Sequence, residues 1–323
     1  MRRRDFMVGL GAAAGSFLPY AIQAEQSSRV YRLGVLSAAQ RPAPHIAAIF
    51  DELQRSGFVE GQNLRIDSGR GVQGDLSPEN LVAMREFEPD VILTSADRWS
   101  RPLHDALPNV PLVCLSADLL RSGLLNSLAR PESNLTGVSF FGPELDGKRQ
   151  EILLEAVPGA RRIAIVEGGN ATPPDQIKQL QKAAHARGVE SSVFHIHAPG
   201  DIVPLTDQIK ASGAIAINVL ASNFTFSNRR VLFERCTELR LPAIYEWPEM
   251  AEEGGLLAYG ARLSGIFRQL ARMVVKIFRG IKPTEIPVEQ PTQFDLVINL
   301  RTAKAIDLEI PAGLVLRADK LIE

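Results

Sequence analysis

The twenty residues Leu241–Gly260, LPAIYEWPEMAEEGGLLAYG, hold two short apolar runs on either side of a polar tip. Pro242–Tyr245 is as long as an interior strand, and continuous rather than alternating hydrophobicity marks a strand covered on both faces, as in a parallel sheet. Glu246 follows where such a strand leaves its sheet, and ligands of open α/β sheets bind beyond that carboxyl end. The paired Gly254 and Gly255 break the segment. Leu256–Ala258 is a second apolar run closing on Tyr259 and Gly260, and a helical spacing begins at once. The stretch predicts strand, polar turn, strand, helix.

The chain on either side repeats this grammar. Tyr31–Leu36 is a first strand; a turn with Ser37, Gln40 and prolines leads to a helix carrying Ile46, Ile49, Phe50 and Leu53, which Gly57 ends. A short strand Leu64–Asp67 precedes a helix opened by Ser77 as N-cap and Pro78 as first residue. Asp90–Thr94 and Val110–Leu115 are continuous apolar strands that finish in the same tip, Ser95-Ala96-Asp97 and Ser116-Ala117-Asp118. After Gly137–Gly142 the pattern restarts: a helix through Leu153, a strand Arg162–Val166, a helix from about Asp175, strands near Val193 and over Ala214–Val219, and a helix from about Asn228. Beyond Gly260, Ile266, Leu270, Met273 and Ile277 share a helix face that Gly280 and Pro283 end; Phe294–Leu300 is expected to be the last strand. Strand-helix alternation of this kind predicts two α/β units, each a parallel sheet with helices on both faces and right-handed crossovers.

At 323 residues, 45% hydrophobic and 23% charged, the chain is long enough for two cores. A formal net charge of −1 without a long basic run removes the electrostatic footprint of a nucleic-acid binder. The opening Met1-Arg2-Arg3-Arg4-Asp5-Phe6-Met7 followed by an apolar run to Leu18 reads as a signal peptide over residues 1–24, with Arg3-Arg4 in the manner of twin-arginine export. Pro19, Tyr20 and Gln23 interrupt it before the ~20 residues of a spanning helix. A removed leader implies a periplasmic protein. The two cysteines, Cys114 in an apolar run and Cys236 in a helical pattern, give neither a disulfide framework nor a zinc pattern and read as buried thiols.

Three motifs invite chemistry and do not sustain it. Gly69-Arg70-Gly71-Val72-Gln73-Gly74 has dinucleotide spacing, but the third glycine runs into Asp75 and Pro78 rather than opening a helix, and Asp75 would repel a pyrophosphate. His195 and His197 share one face of a strand without a third ligand nearby, which reads as a solvated pair on a sheet edge rather than a metal site. Gly137–Gly142 lacks G-x-S-x-G spacing, and no nucleophile, base and oxyanion set assembles elsewhere. No cofactor, metal or catalytic residue is expected, so the chain is read as a non-enzyme.

What remains is the set of strand tips. Ser37, Ser95, Ala96, Ser116, Asp118, Asn170, Ser222, Asn223 and Glu246 lie where parallel strands end, and would line a cleft between two such sheets. Singly, the serines and asparagines serve equally well as turn or cap residues; Asp118 and Glu246 are expected to be ligand carboxylates. Phe224 and Tyr259 could supply a ring face.

Gly34-Val35-Leu36-Ser37, Gly57–Asn63, Asn134–Val138, Tyr245-Glu246-Trp247 and Gln290-Pro291-Thr292 before Phe294–Leu300 stand in an order and spacing that resembles the substrate-binding proteins of ABC transporters, of the tryptophan/tyrosine type. That resemblance implies a two-lobed clamp of the periplasmic-binding-protein type I class, with crossovers near 138–142, 256–260 and 292–296. Lobe one would take residues 30–138 plus 259–292, and lobe two 139–258 plus 293–323. It implies a monomeric periplasmic receptor that binds a small organic ligand, an amino acid or aromatic compound, and delivers it to a permease and ATPase. A sensing partner of a signalling receptor would share fold and cleft; an α/β hydrolase would need the missing nucleophile set. The family often has proline after the residue at 118, where Leu119 stands, and Asn-Pro where Gly168-Gly169-Asn170 stands. Both departures fall at pocket loops and leave the ligand open.

Overall fold

The computed structural model describes residues 29–37, 43–67, 76–140, 142–169 and 172–323; residues 1–24, expected as a leader, the 69–74 glycine string and Asn170 lie outside the described residues. Five parallel strands form the first sheet in the order β2-β1-β3-β4-β5: β1 (Tyr31–Leu36), β2 (Leu64–Asp67), β3 (Val91–Thr94), β4 (Leu112–Ser116) and β5 (Leu135–Ser139). β3, β4 and β5 are buried at every residue, as their apolar runs demand. Helices α1 (Pro44–Arg55), α2 (Pro78–Phe87) and α3 (Asp97–Ala106) connect them. The Oγ of Ser77 accepts the Asn80 N–H at 3.2 Å and caps α2 as its sequence predicts.

The second sheet has seven strands in the order β12-β11-β10-β9-β8-β6-β7. They are β6 (Arg162–Gly168), β7 (Glu190–Ile196), β8 (Ile217–Val219), β9 (Ala243–Tyr245), β10 (Leu257–Gly260), β11 (Asp295–Asn299) and β12 (Lys320–Ile322), parallel throughout except between β10 and β11. The chain enters this layer through α4 (Gly142–Ala156), which packs on β8, β9 and β10, and continues through α5 (Pro174–Ala186), α6 (Ile202–Ala211), α7 (Asn223–Ser227), α8 (Arg229–Glu238) and α9 (Pro248–Glu252). It then returns: α10 (Leu263–Phe278) packs against α1, β3, β4 and β5 of the first layer. Its buried Leu263, Ile266, Phe267, Leu270, Ala271, Val274 and Phe278 keep helical spacing, each large apolar side chain gaining about 1.5–3 kcal/mol on full burial. Tyr31 is held by Phe278 at 4.8 Å and Phe58 at 5.1 Å between ring centres, fastening the end of α10 to the first sheet. After Glu289, whose N–H reaches the Gly137 carbonyl, the chain crosses a third time into β11 and ends with α11 (Leu300–Ala305), α12 (Ala312–Val315) and β12.

The two-lobed architecture with three crossings follows the sequence; details differ. The boundary expected at 259 falls inside β10, whose Tyr259 and Gly260 pair with Leu296 and Asp295 in the second sheet. The polar tip after Glu246 contains α9, started by Pro248 at its first position. Phe294–Leu300 is not the last strand, because Lys320–Ile322 pairs with β11; three residues are too few for a periodic signal. Among the described residues no helix is long and apolar enough to cross a membrane, and Cys114 and Cys236 are free and buried as expected.

Candidate functional site

Between the lobes the strand tips enclose a cavity of about 360 Å³. The first layer contributes Ser37 after β1, Ser95, Ala96, Asp97 and Arg98 after β3, Leu115 and Ala117 at β4, His45 of α1, and Leu263 and Phe267 of α10. The second contributes Gly168 and Gly169 after β6, Ala221 to Phe224 and Phe226 after β8, and Glu246 and Trp247 after β9, with Phe140 of the first crossing between them. Aromatic rings dominate the wall: Phe140 meets Trp247 at 5.0 Å between ring centres, and His45 of one lobe meets Phe226 of the other at 5.8 Å, edge to face. A larger hollow of about 570 Å³ on the outside of the second lobe, at Lys148, Glu155, Arg161 and Arg187, has no strand tips.

Two carboxyl groups stand in the cavity wall, one from each lobe. Asp97 is the first residue of α3, behind the tip of β4; burial pushes its pKa up to about 6 against hydrogen bonds from the Ser116 side chain and the Ala117 backbone, with Asp118 adding to the rise. Its Oδ1 has no hydrogen-bond partner among the described residues. Glu246 is 6% exposed; burial pushes its pKa up to about 8, the Arg149 charge pulls down and Asp146 pushes up. Its Oε1 also has no partner among the described residues. An orphaned buried carboxyl oxygen is costly, and a carboxyl of strongly raised pKa in a cleft marks a candidate functional site. Behind Glu246, fully buried Arg149 pairs with Asp146 on α4 and donates to the Tyr259 carbonyl at 3.1 Å, while Asp146 also accepts from Gln176. His45 is driven down to about 4 by burial and then by the Arg229 charge, partly offset by Glu253, so it is a neutral imidazole at pH 7. The cavity thus offers rings, two acids of raised pKa, and the exposed guanidinium of Arg98, which lies over Trp99 at 5.3 Å.

Backbone packing fixes the tips. A Cβ on Gly260 would fall 2.1 Å from the Glu246 carbonyl oxygen, so only glycine lets β10 pass this close. A Cβ on Gly168 would meet Thr225 at 2.9 Å and Phe224 at 3.0 Å.

The chain matches the ABC transporter substrate binding protein family over residues 44–322. It belongs to that family. It is similar to a tyrosine-binding protein of Clostridioides difficile strain R20291, at 20% identity over 88% of this chain and 83% of that one. A solved conserved-domain protein from Vibrio cholerae shares the fold at TM-score 0.79 and 24% identity, over 91% of this chain and all of that one. A pneumococcal domain solved with L-Trp does so at 0.77 and 21%, with the same coverage.

Of the residues expected to line the cleft, this substrate-binding protein brings Ser37, Ser95, Ala96, Ser222, Asn223, Phe224 and Glu246 to the cavity. Ser222 also caps α7, its Oγ accepting the Thr225 N–H at 3.0 Å. Ser116 is buried one layer back, hydrogen-bonded to Asp97 and to the Asp118 N–H at 3.1 Å. Asp118 stands outside the cavity lining: its Oδ1 accepts the N–H groups of Leu120 and Arg121, each at 3.0 Å, and organises a turn. That turn presents Arg121, whose Nη2 donates to both carboxylate oxygens of Asp175 across the lobes at 2.8 Å. Tyr259 also stands outside the lining: its ring lies 6.2 Å from that of Phe294, and the residue packs on the second lobe's own apolar cluster. Sequence reasoning missed His45, Asp97, Arg98, Phe140, Phe226, Trp247, Leu263 and Phe267 as lining residues. His195 on the edge strand β7 and His197 just beyond it are exposed, with rings stacked at 6.2 Å and His195 Nδ1 3.2 Å from Glu167.

Proposed function

We propose that this substrate-binding protein is the exported, monomeric receptor of an ABC importer. Its lobes, residues 30–138 with 261–292 and 139–260 with 293–323, close on a small organic ligand, an amino acid or aromatic compound. The loaded clamp hands the ligand to a membrane permease driven by an ATPase, and the chain performs no chemistry of its own.

The observation that carries this reading is the pair of wall carboxyls, Asp97 and Glu246, each with an oxygen that no group among the described residues satisfies. An unsatisfied buried oxygen costs about 1–3 kcal/mol, so two such acceptors facing one cleft favour a ligand that carries matching donors. Opening the lobes wets both groups, and a ligand with matching donors tips the balance back to the closed form. Five aromatic rings favour a flat apolar body over a sugar. The relative that binds tyrosine and the neighbour solved with L-Trp support an aromatic amino acid as the first probe.

The experiment is a thermal-shift screen of the purified protein against amino acids, aromatic acids and small peptides, followed by small-angle scattering with each hit. A hit at a hundredfold over its Kd stabilises the protein by about 2.7 kcal/mol, and saturation reduces the radius of gyration. An unchanged radius at saturation would rule out closure of the clamp.

A further inference from the structure

From sequence alone His195 and His197 are a solvated pair; the fold sets a carboxylate beside them. β6 and β7 pair in a register that puts Glu167 directly opposite His195, and the side chains meet with Glu167 Oε2 3.2 Å from His195 Nδ1. A carboxylate oxygen only accepts, so Nδ1 carries the proton of the neutral ring and the lone pair falls on Nε2. The Glu167 side chain is 1% exposed and its Oε1 accepts the Thr172 N–H at 3.3 Å, whereas the His195 side chain is 46% exposed. A buried carboxylate that holds one nitrogen of an exposed imidazole fixes its tautomer and orientation, and metal-ligating histidines almost always have such an outer partner. His197 projects from the same side: the two rings are parallel to within 6° with centres 6.2 Å apart. Its backbone N–H is bound to Asp201 Oδ2 at 3.1 Å, and its ring makes no hydrogen bond among the described residues.

We propose that His195 and His197 form an open site for a borderline divalent cation, Cu²⁺, Ni²⁺ or Zn²⁺, with Glu167 as the positioning residue behind His195. Imidazole nitrogen suits these three ions, and the divalent series favours Cu²⁺ among them. Two nitrogens bound to one ion at about 2.1 Å lie no more than about 4.2 Å apart, so the untethered His197 ring swings toward His195 while Glu167 keeps His195 still. Among the described residues no group of three or more His, Cys, Asp or Glu side chains is placed to hold a metal, so the other positions around the ion fall to water. The pair stands at the edge strand β7 and outside the cavity lining, so this site is independent of the cleft-binding reading.

Titration calorimetry of CuCl₂, NiCl₂ and ZnCl₂ into the untagged, chelator-stripped protein tests it, beside His195→Ala, His197→Ala, Glu167→Gln and a control, His185→Ala, which removes an exposed lone histidine of α5. The expected result is one Cu²⁺ per chain, held at least about tenfold more weakly by either of the first two variants and by Glu167→Gln, and unchanged in the control. The electron paramagnetic resonance spectrum of the Cu²⁺ complex should show coupling to two imidazole nitrogens and lose one of them in each of those histidine variants. Both histidines are exposed, so their removal should leave the melting temperature of the metal-free protein unchanged and the comparison free of folding effects. A wild type that takes up none of the three ions at about 1 mM overturns the proposal. So does uptake that survives the loss of both histidines, or that depends on only one of them. Binding by Glu167→Gln as tight as wild type would overturn the positioning role.

Discussion

Glu246→Gln should stabilise the empty protein, and the gain should grow with pH. The carboxyl holds its proton up to about pH 8 when folded, against a reference value of 4.5. A raised native pKa means the folded state binds the proton more tightly, so this residue costs nothing below about pH 4.5, costs progressively more as pH rises, and levels off above about pH 8. At pH 7 the unfolded carboxyl is about 2.5 units above its own pKa while the native one is still mostly protonated, which amounts to about 3 kcal/mol; at pH 5 the cost is below about 1 kcal/mol. Glutamine is isosteric with the neutral acid and never ionises. In a chain of this size about 3 kcal/mol corresponds to roughly 6 °C in Tm. Differential scanning calorimetry of both ligand-free proteins at pH 5, 7 and 8.5 reads the difference, in which other titrating groups such as Asp97 cancel. The two Tm values should nearly coincide at pH 5 and diverge by pH 8.5, with the variant higher. Parallel curves with a constant offset would refute the reasoning, because they would mean the native carboxyl titrates like an unfolded one.

The packing around the cleft gives two further expected outcomes. Gly260→Ala places a methyl 2.1 Å from the Glu246 carbonyl oxygen, against backbone that cannot rotate away, and should cost about 1–3 kcal/mol by urea midpoint; Gly147→Ala, with open space around it, should be neutral or stabilising, and equal midpoints for the two would sink the steric argument. Arg121→Ala removes the bidentate bridge to Asp175 across the mouth; as an exposed pair it should leave Tm unchanged but speed ligand release in stopped-flow Trp fluorescence, and a lowered Tm with unchanged release would assign the pair to folding instead.

The fold was legible because its strands are continuous apolar runs, Val91–Thr94 and Leu112–Ser116 above all, and because α10 carries a clean helical stripe. The site was legible as a set of strand tips and illegible in its chemistry. Two tips read Ser-Ala-Asp, and nothing within those three residues distinguishes them. The residues on their C-terminal side do. Trp99 and Leu103, both fully buried, lie at helical spacing and make Asp97 the first residue of α3, whereas Asp118 is succeeded by Leu119 to Gly123, a loop that closes with Gly123 at φ +67°. Pro102 inside α3 masks that signal, since an interior proline argues against a helix. Asp118 therefore looked like the ligand carboxylate and is a turn former. The aromatic wall was hidden for another reason: Phe140, Phe226, Trp247 and Phe267 come from four separate stretches, and only the closure of two lobes brings them together. Short elements such as α9 and β12 have too few residues for any period to show.

The central claim, a ligand held in the cleft by wall carboxyls, is tested most directly by titrating the best ligand from the screen into the wild type, Asp97→Asn and Asp118→Asn. Asp97 lines the cavity with an oxygen unpartnered among the described residues, and Asp118 accepts two backbone N–H groups on its Oδ1 outside the lining. Breaking a buried charge-assisted contact costs about 2–5 kcal/mol, so Asp97→Asn should weaken binding by at least about thirtyfold while Asp118→Asn stays within a few-fold of wild type. Equal affinity in Asp97→Asn and wild type, or a loss confined to Asp118→Asn, would contradict the account.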